Sequence, residues 1–201
     1  VNDINLASSE SVWQQVEDAG ITLVNIPTST SIQAIKEDVQ FIADSLSEHE
    51  KGQKLVDKMT QEIDEVAKIG KTIKNQKSVL FEVAALPDIY SFGSETFLNE
   101  MIETIGAKNV LASEKGWLPV GEEAAIAAKP DVILTNVDYI DDPVKEILDR
   151  KNWENVPAVQ NKEVFAIDNM SSSLPNHHIT KALKQMAKAI YPEAYKDLKD
   201  E

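Results

Sequence analysis

Residues 122–135, which read EEAAIAAKPDVILT, contain the unit that decides the fold of this chain. The pattern predicts a short helix at residues 122–128, and Pro130 separates that helix from an apolar strand at residues 132–135. Short apolar strands that alternate with amphipathic helices are typical of a parallel sheet covered by helices. We therefore predict an α/β fold.

The same alternation of strands and helices continues along most of the chain. Apolar runs predict further strands at residues 3–7, 21–26, 78–84 and 164–167. Amphipathic spacing and helix-stop residues predict further helices at residues 11–19, 95–105, 144–148 and 176–190. The first part of the chain has only two predicted strands, and a layer of two strands would be marginal by itself.

Two predicted helices separate the early strands from the later ones. Thr30 with Gln33, and Ser47 with Glu50, have the spacing of capping boxes and predict two helix starts. The second helix would end near Gly70, which makes it about 23 residues and about 35 Å long. A helix of this length is about twice the average and can pack along two lobes at once.

The composition excludes several classes of function. The chain has 201 residues, 42% of them hydrophobic, and a formal charge of −14, which is typical of a folded acidic protein. Arg150 is the single arginine, and an acidic surface would repel nucleic acid. The absence of cysteine excludes disulfides and thiolate chemistry. No run of about 18 apolar residues predicts a membrane-spanning helix.

The sequence offers little for catalysis. It has no glycine-rich phosphate loop and no Gly-x-Ser-x-Gly elbow. We predict that the protein is not an enzyme. An α/β enzyme that uses Glu82 or Asp138 at a strand end is the alternative from another class.

Aromatic residues mark the predicted carboxyl ends of the strands. Trp13, Tyr90 and Tyr139 each follow a predicted strand, and Trp117 lies in a predicted loop before a helix. These side chains either pack in the core or form an aromatic wall. Such a wall suits a planar or apolar ligand better than a small polar one.

At the starts of two predicted helices, two neighbouring residues are ionisable. His177 and His178 point about 100° apart. Either one of them packs or caps and the other is solvated, or one of them reaches a ligand at the carboxyl ends of the strands. Glu122 and Glu123 either stabilise a helix dipole or present a carboxylate to a basic partner.

Three long blocks of the sequence resemble one known family. They are FGSETFLNEMIETIGAKNVLA at 92–112, GWLPVGEEAAIAAKPDVILT at 116–135 and WENVPAVQNKEVFAID at 153–168. They resemble the C-terminal lobe of class III periplasmic binding proteins, the substrate-binding components of ABC importers for iron siderophores, haem and vitamin B12. Residues 1–26 resemble the end of that family's N-terminal lobe.

The resemblance implies two Rossmann-like lobes joined by a single long helix, with the N-terminal lobe incomplete in this chain. Residues 1–46 would be the C-terminal part of the N-lobe, residues 47–75 the connecting helix, and residues 76–201 the complete C-terminal lobe. The resemblance further implies a monomeric lipoprotein outside the cytoplasm, in the periplasm or at the cell surface, whose lipid anchor lies outside this chain.

The resemblance also implies a function and a set of residues. A ferric siderophore or haem would bind in the cleft between the lobes and be delivered to an ABC permease dimer. Glu123 falls at the position of a glutamate that docks on permease arginines, and its N-lobe counterpart lies outside this chain. The predicted ligand-binding residues are Trp13, Tyr90, Trp117, Tyr139, Met170, His177 and His178, the last three as candidate haem ligands.

The ligand stays open at this stage. The predicted cleft loops contain no arginine, and only Lys115 lies near one, which favours haem, a corrinoid or a weakly charged chelate over a catecholate siderophore. A cobalamin-binding protein of the same family is an alternative. A manganese- or zinc-binding transport protein would need several convergent His and carboxylate ligands. A sensor domain that signals through a partner is a further alternative.

Overall fold

The computed structural model describes residues 10–199 of the chain. Its strands are β1 (Ser78–Glu82), β2 (Tyr90–Phe92), β3 (Lys108–Asn109), β4 (Trp117–Pro119), β5 (Val132–Thr135) and β6 (Val164–Ala166). Its helices are α1 (Glu10–Asp18), α2 (Ile32–Ser45), α3 (His49–Gly70), α4 (Phe97–Thr104), α5 (Glu122–Ala127), α6 (Pro143–Leu148), α7 (Pro157–Gln160), α8 (Asn169–Ser173) and α9 (Ile179–Ile190). The α/β fold with a parallel sheet is confirmed.

Four strands form a parallel sheet in the order β3-β1-β5-β6. The pairing of β1 with β5 runs from Val79 opposite Val132 to Glu82 opposite Thr135. The carboxyl ends of β1, β5 and β6 therefore lie along one side of the sheet, which we call the carboxyl edge. Parallel α/β sheets bind ligands outside this edge.

Helices cover the parallel sheet on both faces. Successive side chains of a strand point to opposite faces, so Val79 and Phe81 of β1 belong to one apolar cluster and Leu80 belongs to another. The first cluster includes side chains of α3, α4 and α9. The second surrounds the fully buried Trp153.

A separate antiparallel ribbon is formed by β2 and β4. Tyr90 pairs with Pro119, and Phe92 pairs with Trp117. The prediction that Trp117 lies in a loop is therefore wrong. Gly116 precedes this short strand and Pro119 is its last residue, which gives it the local pattern of a loop, whereas its pairing partner lies far away in sequence.

The long helix α3 is joined tightly to the rest of the fold at its end. A Cβ built on Gly70 would lie 2.2 Å from the Thr104 carbonyl oxygen, and one on Gly106 would lie 2.5 Å from the Gly70 carbonyl oxygen. The start of α2 is attached to α4, because the Ile32 amide donates to Glu100 Oε2 at 2.7 Å. Both helices thus share the core of the parallel sheet.

The predicted strand at residues 21–26 is wrong. This segment has no regular structure, and Ile21 is 59% exposed. A strand needs a hydrogen-bonded neighbour, and the segment has none within residues 10–199. The predicted helix before it corresponds to α1, whereas the predicted strand at residues 3–7 lies outside the described residues.

Several predicted helix starts are displaced by one to three residues. Ser31 rather than Thr30 caps α2, since its hydroxyl accepts from the Ala34 amide at 3.0 Å. Ser47 does not cap α3, because it occupies the left-handed turn between the two helices at φ 59°. The last predicted helix begins at Ile179 instead of Asn176.

Candidate functional site

The loops at the carboxyl edge are joined by specific hydrogen bonds. The Tyr139 hydroxyl accepts from the Ala85 amide at 2.9 Å, and Ala84 pairs with Tyr90 at the start of β2. These contacts bring the loop that contains Tyr139 against the loop that precedes Tyr90. Both tyrosine side chains are still exposed, Tyr139 at 65% and Tyr90 at 38%.

Helix α8 is attached to the same group of loops. Asn169 donates from Nδ2 to the Asn136 carbonyl oxygen at 2.6 Å, and Asn136 donates from Nδ2 to Ser172 Oγ at 2.9 Å. Met170, in the first turn of this helix, is 67% exposed. The structure therefore places Tyr90, Tyr139 and Met170 on connected segments at one edge.

Asp168 fixes the start of α8. Its Oδ1 accepts from the Ser171 amide at 2.9 Å, and its Oδ2 forms an ion pair with Lys181 at 3.1 Å. Hydrogen bonds from Ser171 and the nearby Lys181 ammonium lower the pKa of Asp168 to about 2. This carboxylate is therefore ionised at neutral pH and caps the start of α8.

Trp117 is anchored on one side and exposed on the other. Its ring meets Phe92 nearly edge-on at 5.5 Å between centroids and Phe97 at 6.5 Å. The side chain is 41% exposed and lies on the same face of the β2–β4 ribbon as Tyr90. It can therefore offer aromatic surface without losing its packing.

Trp13 lies within α1, which corresponds to the helix predicted at residues 11–19. The strand that Trp13 is predicted to follow lies outside the described residues. The indole Nε1 of Trp13 is buried and has no hydrogen-bond partner within the described part of the chain. Within residues 10–199, no ring contact joins Trp13 to the aromatic residues of the carboxyl edge.

His177 and His178 line a cavity of about 620 Å³ between α3 and α9. Their ring centroids lie 3.9 Å apart, and the ring planes are tilted by 39°. Burial lowers the pKa of His177, and electrostatic interactions with His178 and Lys58 lower it further. The two histidines thus share one site, although their positions in the helix start predicted diverging directions.

The cavity also contains lysines that the sequence analysis missed. Lys58 comes from α3, and Lys181 and Lys184 come from α9. Helical spacing signals that Lys181 and Lys184 share a face, but only packing shows which helix lies opposite. From the sequence, only Lys115 is placed near the cleft loops, so these three lysines are overlooked. Lys115 itself is exposed and paired with Glu95 at 2.5 Å.

Both carboxylate oxygens of Glu82, at the end of β1, take part in an ion pair. Its two oxygens accept from Arg150 Nη1 at 2.7 Å and Nη2 at 2.8 Å, and both side chains are almost completely buried. Arg150 also pairs with Glu146 at 2.5 Å. A carboxylate held this way has no open side for a substrate, which argues against the role of Glu82 in an enzyme.

Glu122 and Glu123 have different surroundings in the first turn of α5. Glu122 Oε1 accepts from Trp153 Nε1 at 2.9 Å, so this side chain faces the fold. Glu123 is exposed to solvent. Of the two, only Glu123 is placed to meet another molecule.

The described residues lack a membrane-spanning helix and a cluster of metal-ligating side chains. Residues 10–199 contain no helix that has both the length and the apolar character needed to cross a membrane. In the same range, no three His, Cys, Asp or Glu side chains are grouped as a metal site would require. The cluster that a manganese or zinc protein needs is thus missing from this part of the chain.

Residues 14–170 match the model of a family described as periplasmic binding protein. The chain belongs to the periplasmic binding protein family. This is a family of binding proteins rather than enzymes, so the resemblance and the prediction of a non-enzyme are confirmed. The matched region includes α3, the parallel sheet up to β6 and the start of α8.

Individual periplasmic binding proteins resemble the chain along nearly its whole length. The uncharacterized ABC transporter substrate-binding lipoprotein YvrC of Bacillus subtilis is 29% identical over 198 residues, covering 98% of this chain and 62% of the relative. The molybdate-binding protein MolA of Haemophilus influenzae is 28% identical over 218 residues, covering 96% and 61%. The chain thus spans about three fifths of each of these relatives.

A solved periplasmic binding protein structure confirms the fold. It comes from Staphylococcus epidermidis and is described as a possible iron-binding, periplasmic solute-binding protein. Its TM-score is 0.83 at 26% sequence identity, and the match covers 95% of this chain and 74% of that one.

Proposed function

We propose that the chain is part of the extracytoplasmic substrate-binding component of an ABC importer. The observation that carries this proposal is the family match over residues 14–170. The exposed side chains of Tyr90, Trp117, Tyr139 and Met170 near the carboxyl edge are consistent with a binding surface. The names of the B. subtilis and H. influenzae relatives, a transporter lipoprotein and a molybdate-binding protein, support the proposal. A lipid anchor would lie outside this chain.

The proposed ligand is an iron complex, either a ferric siderophore or haem. The iron-binding description of the S. epidermidis protein supports iron. The exposed aromatic and thioether surface supports a ligand with a large apolar face, which also fits a corrinoid. Tyr90, Trp117, Tyr139 and Met170 would contact the organic part of the ligand, and Trp13, His177 and His178 would complete the site.

The proposed architecture is two lobes with the ligand between them. In this arrangement residues 76–201 form one lobe, residues 47–75 the connecting helix, and residues 1–46 the part of the other lobe that this chain contains. The carboxyl edge would face the cleft. The protein would act as a monomer that presents Glu123 to the permease dimer.

Tryptophan fluorescence provides the test of this function. Ferric siderophore, haemin and cobalamin are each titrated into the protein at micromolar concentration, and we expect one of them to quench the emission saturably. The Trp117→Phe variant should lose much of that quenching, because Trp117 is the more exposed of the two tryptophans proposed for the site. Trp153→Phe is the matched control, since Trp153 is fully buried. Lack of quenching by all three compounds would overturn the ligand assignment.

A further inference from the structure

The cavity between α3 and α9 has walls of two kinds. Leu55 and Met59 of α3 supply apolar surface. The polar part consists mainly of cationic or titratable side chains, namely Lys58, Glu62, His177, His178, Lys181 and Lys184. A volume of about 620 Å³ lies within the range of sites that bind small molecules.

Most negative charge at this cavity is already neutralised. Glu62 Oε1 pairs with Lys184 Nζ at 2.7 Å, and both side chains are largely buried. Lys184 thus compensates Glu62, the carboxylate that lines the cavity within residues 10–199. Asp168 is not among the residues that line the cavity, and it pairs with Lys181 at 3.1 Å.

Two cationic groups are still available to a ligand. Lys58 makes no ion pair within residues 10–199 and acts on Glu62 and His177 only through longer-range electrostatics. Lys181 is 52% exposed, and an exposed ion pair of this kind contributes little, so its ammonium can turn toward a ligand. The cavity therefore has an excess of positive charge in a protein whose net charge is −14.

We propose that this cavity binds the anionic oxygens of the transported substrate, with Lys58 and Lys181 as the charged contacts and His178 as a hydrogen-bonding neighbour. The inference rests on the proposed function and specifies the chemical class of the substrate. The anionic oxygens belong either to an inorganic oxyanion, which would replace the iron complex as the ligand, or to the carboxylates of an organic iron chelate. Leu55 and Met59 would lie against the carbon framework in the second case.

The three histidines of the chain provide the readout. His177 and His178 line the cavity, whereas His49 lies exposed at the start of α3, paired with Asp44. Their ring resonances are followed by NMR while sodium molybdate or sodium citrate is added to about 10 mM, a concentration that detects millimolar binding. We expect saturable shifts of the His177 and His178 resonances, and no comparable shift for His49.

Variants separate binding at the cavity from general ionic effects. Lys58→Ala should weaken the binding about tenfold, because one charge-assisted contact is lost. Lys68→Ala, which removes an exposed lysine ten residues further along the same helix, should leave the affinity unchanged. Shifts with molybdate alone would identify an inorganic oxyanion, and shifts with citrate alone would identify carboxylates.

Two results would overturn the inference. One is a lack of saturable shifts with both anions, and the other is equal binding by the wild type and Lys58→Ala. Both differ from failure of the proposed function, which is measured by tryptophan quenching. If haemin or a ferric siderophore quenches the emission while the histidines do not respond to either anion, the proposed function stands and this inference fails.

Discussion

Arg150 is the residue that organises one end of the sheet. Its guanidinium is 2% exposed, forms a bidentate pair with Glu82 and lies 4.9 Å from the Trp153 ring centroid. Trp153 in turn donates to Glu122 in α5. The sequence shows that the chain has one arginine but not that this arginine is buried. Its burial depends on Glu82 and Glu146, which lie 68 and 4 residues away along the chain.

Removal of the Arg150 side chain should strongly destabilise the fold. We expect Arg150→Ala to lower the free energy of unfolding by about 3–5 kcal/mol, because Glu82 is then buried without a compensating charge. Urea denaturation followed by circular dichroism measures this loss. The control is Lys145→Ala, whose ion pair with Asp149 is exposed to solvent and should contribute little to stability. Equal losses in the two variants would contradict this account.

At the scale of elements, the sequence identified those strands whose signal is local. Residues 78–84, 132–135 and 164–167 are apolar runs, and they correspond to β1, β5 and β6 within about two residues. β3 has only two residues and β2 and β4 three each, so long-range pairing rather than composition defines them. The run at 21–26 has the right composition for a strand but no pairing neighbour among the described residues.

The joint between α3 and α4 depends on the absence of a side chain at Gly70. We expect Gly70→Ala to lower the free energy of unfolding by about 1–3 kcal/mol, because its Cβ would overlap the Thr104 carbonyl oxygen and force the helices apart. Urea denaturation measures the effect. Lys68→Ala in the same turn is exposed and should change stability by less than about 0.5 kcal/mol. An unchanged midpoint for Gly70→Ala would show that the joint is loosely packed.

At the scale of the whole molecule, the carboxyl edge could be predicted better than the cavity. Tyr139 and Met170 follow strands along the chain, so the order of the elements already places them at one edge. The cavity required the packing of α3 against α9, helices separated by more than a hundred residues, and no local pattern contains that information. No pattern in the sequence therefore distinguished Lys58 from a solvated surface lysine.

The proposed docking role of Glu123 is tested at the scale of the whole molecule. We expect Glu123→Ala to keep the affinity for the ligand, because the residue is exposed on α5 and not among the cavity residues, and to abolish ligand uptake by cells. Tryptophan quenching measures the first quantity and accumulation of labelled ligand the second. Glu193→Ala, another exposed glutamate, is the control and should support normal uptake. Loss of ligand binding in Glu123→Ala would contradict the docking role.

The burial of the single arginine also determines how the rest of the molecule can select a ligand. With Arg150 enclosed by Glu82 and Glu146, every accessible side-chain cation is an ammonium or an imidazole group. An ammonium group can bind an anion from many directions, whereas a guanidinium group binds best to two acceptor atoms that lie in its plane. Discrimination between anions of equal charge would therefore come from the shape and size of the cavity walls rather than from hydrogen-bond geometry.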